Sequence, residues 1–362
     1  MNVEGAVSFL KSLKGRKVAV VSHDDSDGSC SAALIIRLLR KICRNCKVSY
    51  FSTHGTPAIT DDLMKDILEE KPDAVITCDF AGGLDESAKM LVKNNIKCLM
   101  IDHHVPREYM FPEECVYANP QLSGKTMPCC AFVYDICNKI TDSEENLWIA
   151  CVGTIEDYGA CDRKDIIEAC MKKYPELFEK KKIDNAQLFD TSFGLVGKII
   201  GTAPTWASWQ GAELATKVLL EIDSPRDFLG LENDHVRMMY EKFGVVEREV
   251  KKVTKMFEKE NKVDGRVRTF SFSSDYGIKS KVSTIVSSGY EKDVVAIIEE
   301  NNKYASVSFR NQSGDFDLNS IIGQCLSGLE GKGGGHRKAA GAVVLIKDFP
   351  VFMDRFKKKV NG

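Results

Sequence analysis

The apolar and polar positions of the first hundred residues change period again and again. Short β-rich apolar runs, "KVAVVS" (17–22), "KVSYFS" (47–52), "DAVITCDF" (73–80) and "IKCLMID" (96–102), alternate with amphipathic stretches. These are "GSCSAALIIRLLRKIC" (28–43), "TDDLMKDILEE" (60–70) and "LDESAKMLVKNN" (84–95). The first carries Ala33, Ile36, Leu38 and Leu39 at helical spacing, and the second is capped by Thr60 or Asp61. Strands that are apolar throughout, separated by helices, predict a parallel sheet covered on both faces. In such sheets function gathers beyond the carboxyl ends of the strands. Residues 126–230 read as mostly helical, with breaks at Gly194, Gly201 and Pro204. Residues 232–262 form one long charged amphipathic stretch, either a connecting helix or two helices broken near Gly244. The chain then turns β-rich again at 266–273, 293–300 and 304–311. The expected architecture is α/β, in three parts. Residues 1–231 form a parallel-sheet domain with helices on both faces, 232–263 a connecting helix, and 264–362 a smaller α/β domain.

Composition narrows the class. The 362 residues are 43% hydrophobic and 28% charged, an ordinary globular balance. No apolar run approaches the ~20 residues of a membrane span, and the N-terminus has no secretion-type apolar core. A cytoplasmic protein without membrane association is expected. Thirteen cysteines, an odd number in a long chain, suggest reduced thiols. Cys43 and Cys46 form one CxxC, but no second pair follows at zinc-ribbon spacing. The net charge is −2, without the basic excess of proteins that track long nucleic acids. An anionic substrate would be short, or would meet a local basic groove on a neutral body.

The candidate chemistry sits just past the predicted strands. The first ends in His23-Asp24-Asp25-Ser26-Asp27, the third in Asp79 and the fourth in Asp102-His103-His104. Asp157, in "GTIEDYG", follows a helical run. Neighbouring ends of a parallel sheet converge, so Asp25, Asp27, Asp79 and His103 can share one small volume. Four carboxylates there repel one another unless cations compensate. Two divalent ions balance Asp25, Asp27, Asp79 and Asp157, with His23 and His103 as neutral ligands. Oxygen donors with a minority of imidazole suit Mn²⁺, with Mg²⁺ second. Paired ions of this kind serve two-metal hydrolysis. The alternative for "HDDSDG" alone is capping and turn chemistry, since an Asp at a strand end often caps the next helix.

These motifs carry a resemblance. "HDDSDG", "CDF", "IDHHVP" and "GTIEDYG", in that order, look like the four motifs of the DHH phosphoesterase superfamily. "VSFRNQSGDFDLNSI…GGGHRKAAGA" resembles the accompanying DHHA1 substrate-binding domain. The tight spacing from His23 to Asp25 is similar to the archaeal and RecJ-like branch. The resemblance implies that His23, Asp25 and Asp79 hold one Mn²⁺. Asp27, Asp79, His103 and Asp157 would hold the other. It implies that His104 faces the scissile phosphate and that Asp102 orients a histidine. Asp24 has no role in that scheme and is expected in solvent or as a helix cap. Asn119-Pro120 matches a family "NP" after the DHH triplet.

In the last hundred residues, Gly333-Gly334-Gly335 lets an anion approach unshielded backbone N–H groups, and His336, Arg337 and Lys338 add donors. The plain alternative is a flexible turn. Arg310 offers a planar fork for a phosphate, or else a surface salt bridge. The resemblance assigns Arg310 and His336 to a terminal phosphate or base remote from the cut. His54 reads as structural, His235 as solvated, and Trp206 and Trp209 as core. The function implied is a Mn²⁺-dependent phosphodiesterase acting stepwise on short single-stranded RNA or DNA and releasing 5′-mononucleotides, as in nanoRNases and RecJ-like exonucleases. Such a chain would work as a monomer or homodimer. The alternatives are a pAp phosphatase, a linear or cyclic dinucleotide phosphodiesterase, and a non-catalytic replication scaffold.

Overall fold

A computed structural model describes every residue except Met1, Arg44, Pro57, Ala81 and Lys180. The chain divides into two compact units, Met1–Phe243 and Gly244–Gly362.

The first unit begins with helix α1 (Val3–Lys11) and then alternates: β1 (Lys17–Ser22), α2 (Ser26–Ile42), β2 (Lys47–Ser52), α3 (Asp61–Glu69), β3 (Ala74–Cys78), α4 (Leu84–Lys93) and β4 (Lys97–Ile101). A short β5 (Cys115–Ala118) completes a five-stranded, all-parallel sheet in the order β2-β1-β3-β4-β5. Successive strand residues serve opposite faces. Val18, Val20, Ala74, Ile76, Leu99 and Ile101 pack with α2 and the later helices, while Ala19, Val21, Val75, Cys98 and Met100 pack with α3 and α4. Both faces are apolar, and for that reason the strands read as continuous hydrophobic runs. Helices α5 (Cys129–Ile140), α6 (Leu147–Glu156), α7 (Lys164–Lys173), α8 (Asn185–Phe189), α9 (Ser192–Glu221) and α10 (Pro225–Leu229) follow.

Two expectations are corrected here. Gly194 and Gly201 do not break α9; the helix is interrupted at Ser208, whose backbone takes φ 53° and ψ −139°. Pro204 lies inside the helix, and a Cβ on Gly211 would come within 2.1 Å of the Ala203 carbonyl oxygen. The chain passes itself at a distance only glycine permits. Cys43 and Cys46 are joined in a disulfide across the turn from α2 to β2, whereas the other eleven cysteines are thiols.

Helix α11 (Asp234–Glu260) runs unbroken through Gly244, where the two units divide. The second unit continues with β6 (Lys262–Asp264), β7 (Val267–Ser271), α12 (Lys279–Ser287), β8 (Val294–Glu300), β9 (Tyr304–Arg310), α13 (Leu318–Leu326), β10 (Gly331–Gly335), β11 (Ala339–Leu345) and α14 (Phe349–Asn361). Its strands form one mixed sheet in the order β10-β11-β9-β8-β7-β6. Val307 and Phe309 of β9 face a core built with α13 and α14, where Phe309 stacks on Phe356. The alternate residues Ser306, Ser308 and Arg310 face α12. The glycine run is therefore not a turn: it is the edge strand β10, paired antiparallel with β11. Among the described residues no helix is long and apolar enough to cross a membrane.

Candidate metal centre

Strand register builds the centre. Ser22 pairs with Cys78, and Cys78 with Ile101, so the residue after each strand continues the ladder. The His23 N–H donates to the Cys78 carbonyl (3.2 Å), Asp79 N–H to Ile101 (2.9 Å) and Asp102 N–H to Ala118 (3.1 Å). His23, Asp79 and Asp102 thus stand side by side at the carboxyl edge of the sheet, with His103 and His104 one and two steps further on. Asp79 holds a left-handed backbone, φ 67°, which is uncommon for a residue other than glycine.

Asp25 and Asp27 are placed by helices. Asp25 is the N-cap of α2: its Oδ1 accepts the Gly28 N–H at 2.9 Å. That leaves Oδ2, 2.7 Å from His23 Nδ1. Asp27, in the first turn of α2, caps a different helix. Its two carboxylate oxygens accept the Cys129 and Cys130 N–H groups at the start of α5, both at 2.7 Å. Carboxylates are favoured at helix N-termini by the unsatisfied N–H groups and the dipole. Both acids thus act as helix caps, and the same carboxylates also lie in groups of acids and histidines that could hold a metal ion. Asp24, expected in solvent or as the cap, is neither. It is only 18% exposed, with its Oδ1 3.5 Å from His23 Nε2.

The remaining distances close the cluster. His103 Nε2 is 3.2 Å from Asp79 Oδ1 and 3.7 Å from Asp27 Oδ2, and its Nδ1 is 3.8 Å from Asp157 Oδ2. His23 Nδ1 lies 3.8 Å from Asp79 Oδ2, and His104 Nδ1 3.8 Å from Asp79 Oδ1. Three overlapping sets have their ligand atoms within 4.8 Å of one another: His23–Asp25–Asp79, Asp27–His103–Asp157 and Asp79–His103–His104. Asp102 is fully buried and bonds His104 Nδ1 at 2.8 Å, which leaves that ring's Nε2 free of it.

Burial and mutual repulsion set the electrostatics of the cluster. Burial pushes Asp79 well above the usual carboxylate range, reinforced by Asp25, Asp27, Asp102 and Asp157. Burial raises Asp27, against the pull of His103, and raises Asp157 to about 8, with Asp27 and Asp25 adding to it. Burial alone would lower His23, but Asp25 and its neighbours more than offset this and raise it to about 8. Asp25 goes the other way, to about 2, because the His23 and Gly28 hydrogen bonds outweigh its burial. Asp79 Oδ1 is buried and accepts no hydrogen bond. An orphaned carboxylate oxygen amid mutually repelling acids, with imidazoles alongside, fits divalent cations and an oxygen-rich donor set.

Asn119 was visible in the sequence only as half of an "NP" pair. Fully buried, it donates from its amide to the His104 carbonyl oxygen (2.9 Å) and the Tyr117 hydroxyl (2.8 Å), and lies 3.4 Å from Asp102 Oδ2. Gln121 holds the His103 carbonyl oxygen at 2.6 Å. The helix start at Cys129, flagged by Pro128, was the available signal for the partner of Asp27.

In the second unit, Arg310, Gly333, Gly334, Gly335 and His336 line one groove of about 530 Å³. Lys279, Ser280 and Lys332, which sequence reasoning did not single out, line it too. Arg310 makes no ion pair among the described residues. Its guanidinium is held by Ser280 Oγ (2.9 Å), Ser308 Oγ (3.2 Å) and the Phe309 carbonyl oxygen (3.0 Å). Of the glycine N–H groups, that of Gly335 is taken by Asn319 Oδ1 at 3.1 Å.

Elsewhere, His54 packs its ring on Trp209, centroids 4.5 Å apart, and neither is fully buried. Trp206 is also only partly buried, so the tryptophan pair is not interior core. His235 pairs with Glu221 at 3.0 Å.

A parallel α/β sheet with acids and histidines along its carboxyl edge, followed by a second small mixed-sheet unit, defines a two-domain phosphoesterase class of fold. The chain belongs to the DHH family: residues 17–154 match the DHH family N-terminal domain and residues 267–362 the DHHA1 domain. The first match ends three residues before Asp157. A Bacillus subtilis protein bearing the name of an SPbeta prophage-derived single-strand DNA-specific exonuclease is 26% identical over 168 residues. That stretch is 43% of this chain and 28% of the relative, so the chain matches well under a third of the relative's length. RecJ from Thermus thermophilus, solved with Mn²⁺, superposes with a TM-score of 0.76 at 16% identity, covering 99% of this chain and 54% of RecJ. A manganese-bound exonuclease RecJ gives 0.74 at 17% identity, covering 99% and 94%.

Proposed function

We propose that the chain is a metal-dependent phosphodiesterase that shortens single-stranded oligonucleotides stepwise to 5′-mononucleotides, with Mn²⁺ as its preferred ion. The reading rests on one observation above all: two sets of ligand atoms converge on the edge of one sheet, and the orphaned carboxylate of Asp79 stands next to both. His23, Asp25 and Asp79 would hold one ion; Asp27, Asp79, His103 and Asp157 would hold the second. Divalent ions bound there supply Lewis acidity to a phosphoryl oxygen and acidify water.

The chain's own groups do the rest. Asp25 and Asp27 are fixed by helix N-termini, so the ligand cradle is in place before loading. Asp102 accepts from His104 Nδ1–H and sets the ring's orientation. His104 Nε2, the nitrogen that Asp102 does not engage, would then face a non-bridging oxygen of the scissile phosphate. In the second unit, Arg310 and His336 offer cationic and hydrogen-bonding groups to a terminal phosphate. The name carried by the Bacillus relative supports single-stranded nucleic acid as the substrate class.

The test is purified protein with Mn²⁺, Mg²⁺ or chelator against end-labelled RNA and DNA oligomers of graded length, with pAp and cyclic dinucleotides alongside. Metal-dependent release of mononucleotides from short oligomers is expected. Faster turnover of pAp or a cyclic dinucleotide would replace the substrate. No cleavage of any of them with either ion would leave a non-catalytic role. His103→Ala should lower metal affinity, whereas His104→Ala should lower turnover with metal affinity retained.

A further inference from the structure

The formal charge of −2 conceals a division. Residues 244–362 carry 21 Lys and Arg against 15 Asp and Glu, a net +6, leaving 29 against 37, a net −8, for residues 1–243. Part of that positive charge is concentrated on the half of α11 that belongs to the second unit. A helix advances ~100° per residue. Val246, Val250, Val253 and Phe257 are buried on one side. Arg248, Lys251, Lys252, Lys255 and Lys259 are all exposed and fall in a sector about 100° wide on the other side. These five line a shallow groove of about 440 Å³ with Met256 and Glu260.

Neighbouring acids neutralise little of this strip, Glu260 at its far end being the one acid that lines the groove. Glu247 is turned to Lys281, and Glu258 accepts the Tyr290 hydroxyl at 2.7 Å. Only Lys252 is paired, with Glu249 at 3.2 Å. Arg248, Lys251, Lys255 and Lys259 make no ion pair among the described residues. Elsewhere many exposed helix lysines are paired at one-turn spacing: Lys65 with Asp62, Lys89 with Asp85 and Lys358 with Asp354. Four unpaired like charges within ~16 Å along one ridge repel one another, a cost that a polyanion relieves.

We infer that this face of α11 is a docking strip for the phosphodiester backbone of a single-stranded nucleic acid, separate from the groove around Arg310. The choice of nucleic acid over other polyanions rests on the proposed function; the strip itself rests on charge placement. It binds backbone and reads no base, because none of the residues that form it is aromatic. Short substrates need only the catalytic site and the groove around Arg310, and gain nothing from the strip. Long strands gain affinity that falls steeply with salt.

The test uses the full chain, with labelled single strands of graded length, in chelator so that nothing is cut. The triple variant Lys251→Ala/Lys255→Ala/Lys259→Ala keeps helix propensity. It should bind a long strand ~10-fold or more weakly, and its log–log salt slope should be shallower by ~2, about 0.7 per cation lost. Metal-dependent hydrolysis of a dinucleotide should be unchanged. The control Lys164→Ala/Lys172→Ala/Lys181→Ala removes equal charge from the first unit and should leave both readouts near wild type. Wild-type affinity and slope in the strip variant, an equal loss in the control, or no binding of long strands by the wild type at low salt would each overturn the strip. Absence of hydrolysis in the wild type, with strip-dependent binding intact, would instead overturn the catalytic reading alone.

Discussion

At the scale of single residues, the carboxylates of this chain are assigned by what already donates to them. Asp102 gives one oxygen to His104, so Asp102→Asn should cost ~10–100-fold in turnover, as loss of an orienting partner does. Its KM should be nearly unchanged, because Asp102 is buried behind the histidine; steady-state kinetics at saturating Mn²⁺ would show this. Arg163 is a purely structural counterpart. Its guanidinium bonds both oxygens of Asp135 (2.9 and 3.1 Å) and both of Asp165 (2.8 and 2.9 Å), and donates to the Ala131 carbonyl oxygen. Only 8% of that side chain is exposed. Arg163→Ala empties the space under the guanidinium but leaves two acids that water already reaches, 42% and 66% exposed, so it should cost ~1–3 kcal/mol in denaturant unfolding, with metal affinity retained.

At the scale of elements, the start of α2 is a tight joint next to the site. A Cβ on Gly28 would come within 2.3 Å of the His23 carbonyl oxygen, a backbone atom that cannot step aside. Gly28→Ala should therefore cost ~1–3 kcal/mol and weaken metal binding by displacing His23. Calorimetric titration of Mn²⁺ into the variant, beside its thermal unfolding, reads both. Much of this edge was legible in the sequence, because each of the three central strands ends directly in an acid or a histidine. The rest was hidden for identifiable reasons. Asp24 and Asp25 are equivalent candidates for a cap until the helix phase is known. The α5 N–H groups on Asp27 come from a hundred residues away. β5 is four residues long, and β10 is glycine-rich, so neither carries a side-chain period. The interruption of α9 at Ser208 depends on how closely Gly211 can pass Ala203.

At the scale of the molecule, the acid cluster links stability to pH and to metal. A group whose pKa is raised on folding binds its proton more tightly in the folded state, so its contribution is present at low pH and lost as pH rises. For Asp157 the loss runs from ~4 up to about 8. For His23 it runs from 6.5 to about 8. Asp25, lowered to about 2, opposes this only in acid, where its stabilisation is lost as pH falls. Metal-free protein should accordingly melt at progressively lower temperature as pH is raised from ~5 to ~9, and saturating Mn²⁺ should flatten the trend. Differential scanning calorimetry with and without chelator checks it; a melting temperature that climbs over that interval without metal would contradict the assigned cluster.

The split between a negative front portion and a positive rear portion has a bench-level corollary. A pI near neutrality would suggest a chain that washes through ion-exchange resin of either sign. With its surplus charges segregated, this one should be retained by both kinds of column in dilute buffer, each resin gripping a different end of the polypeptide.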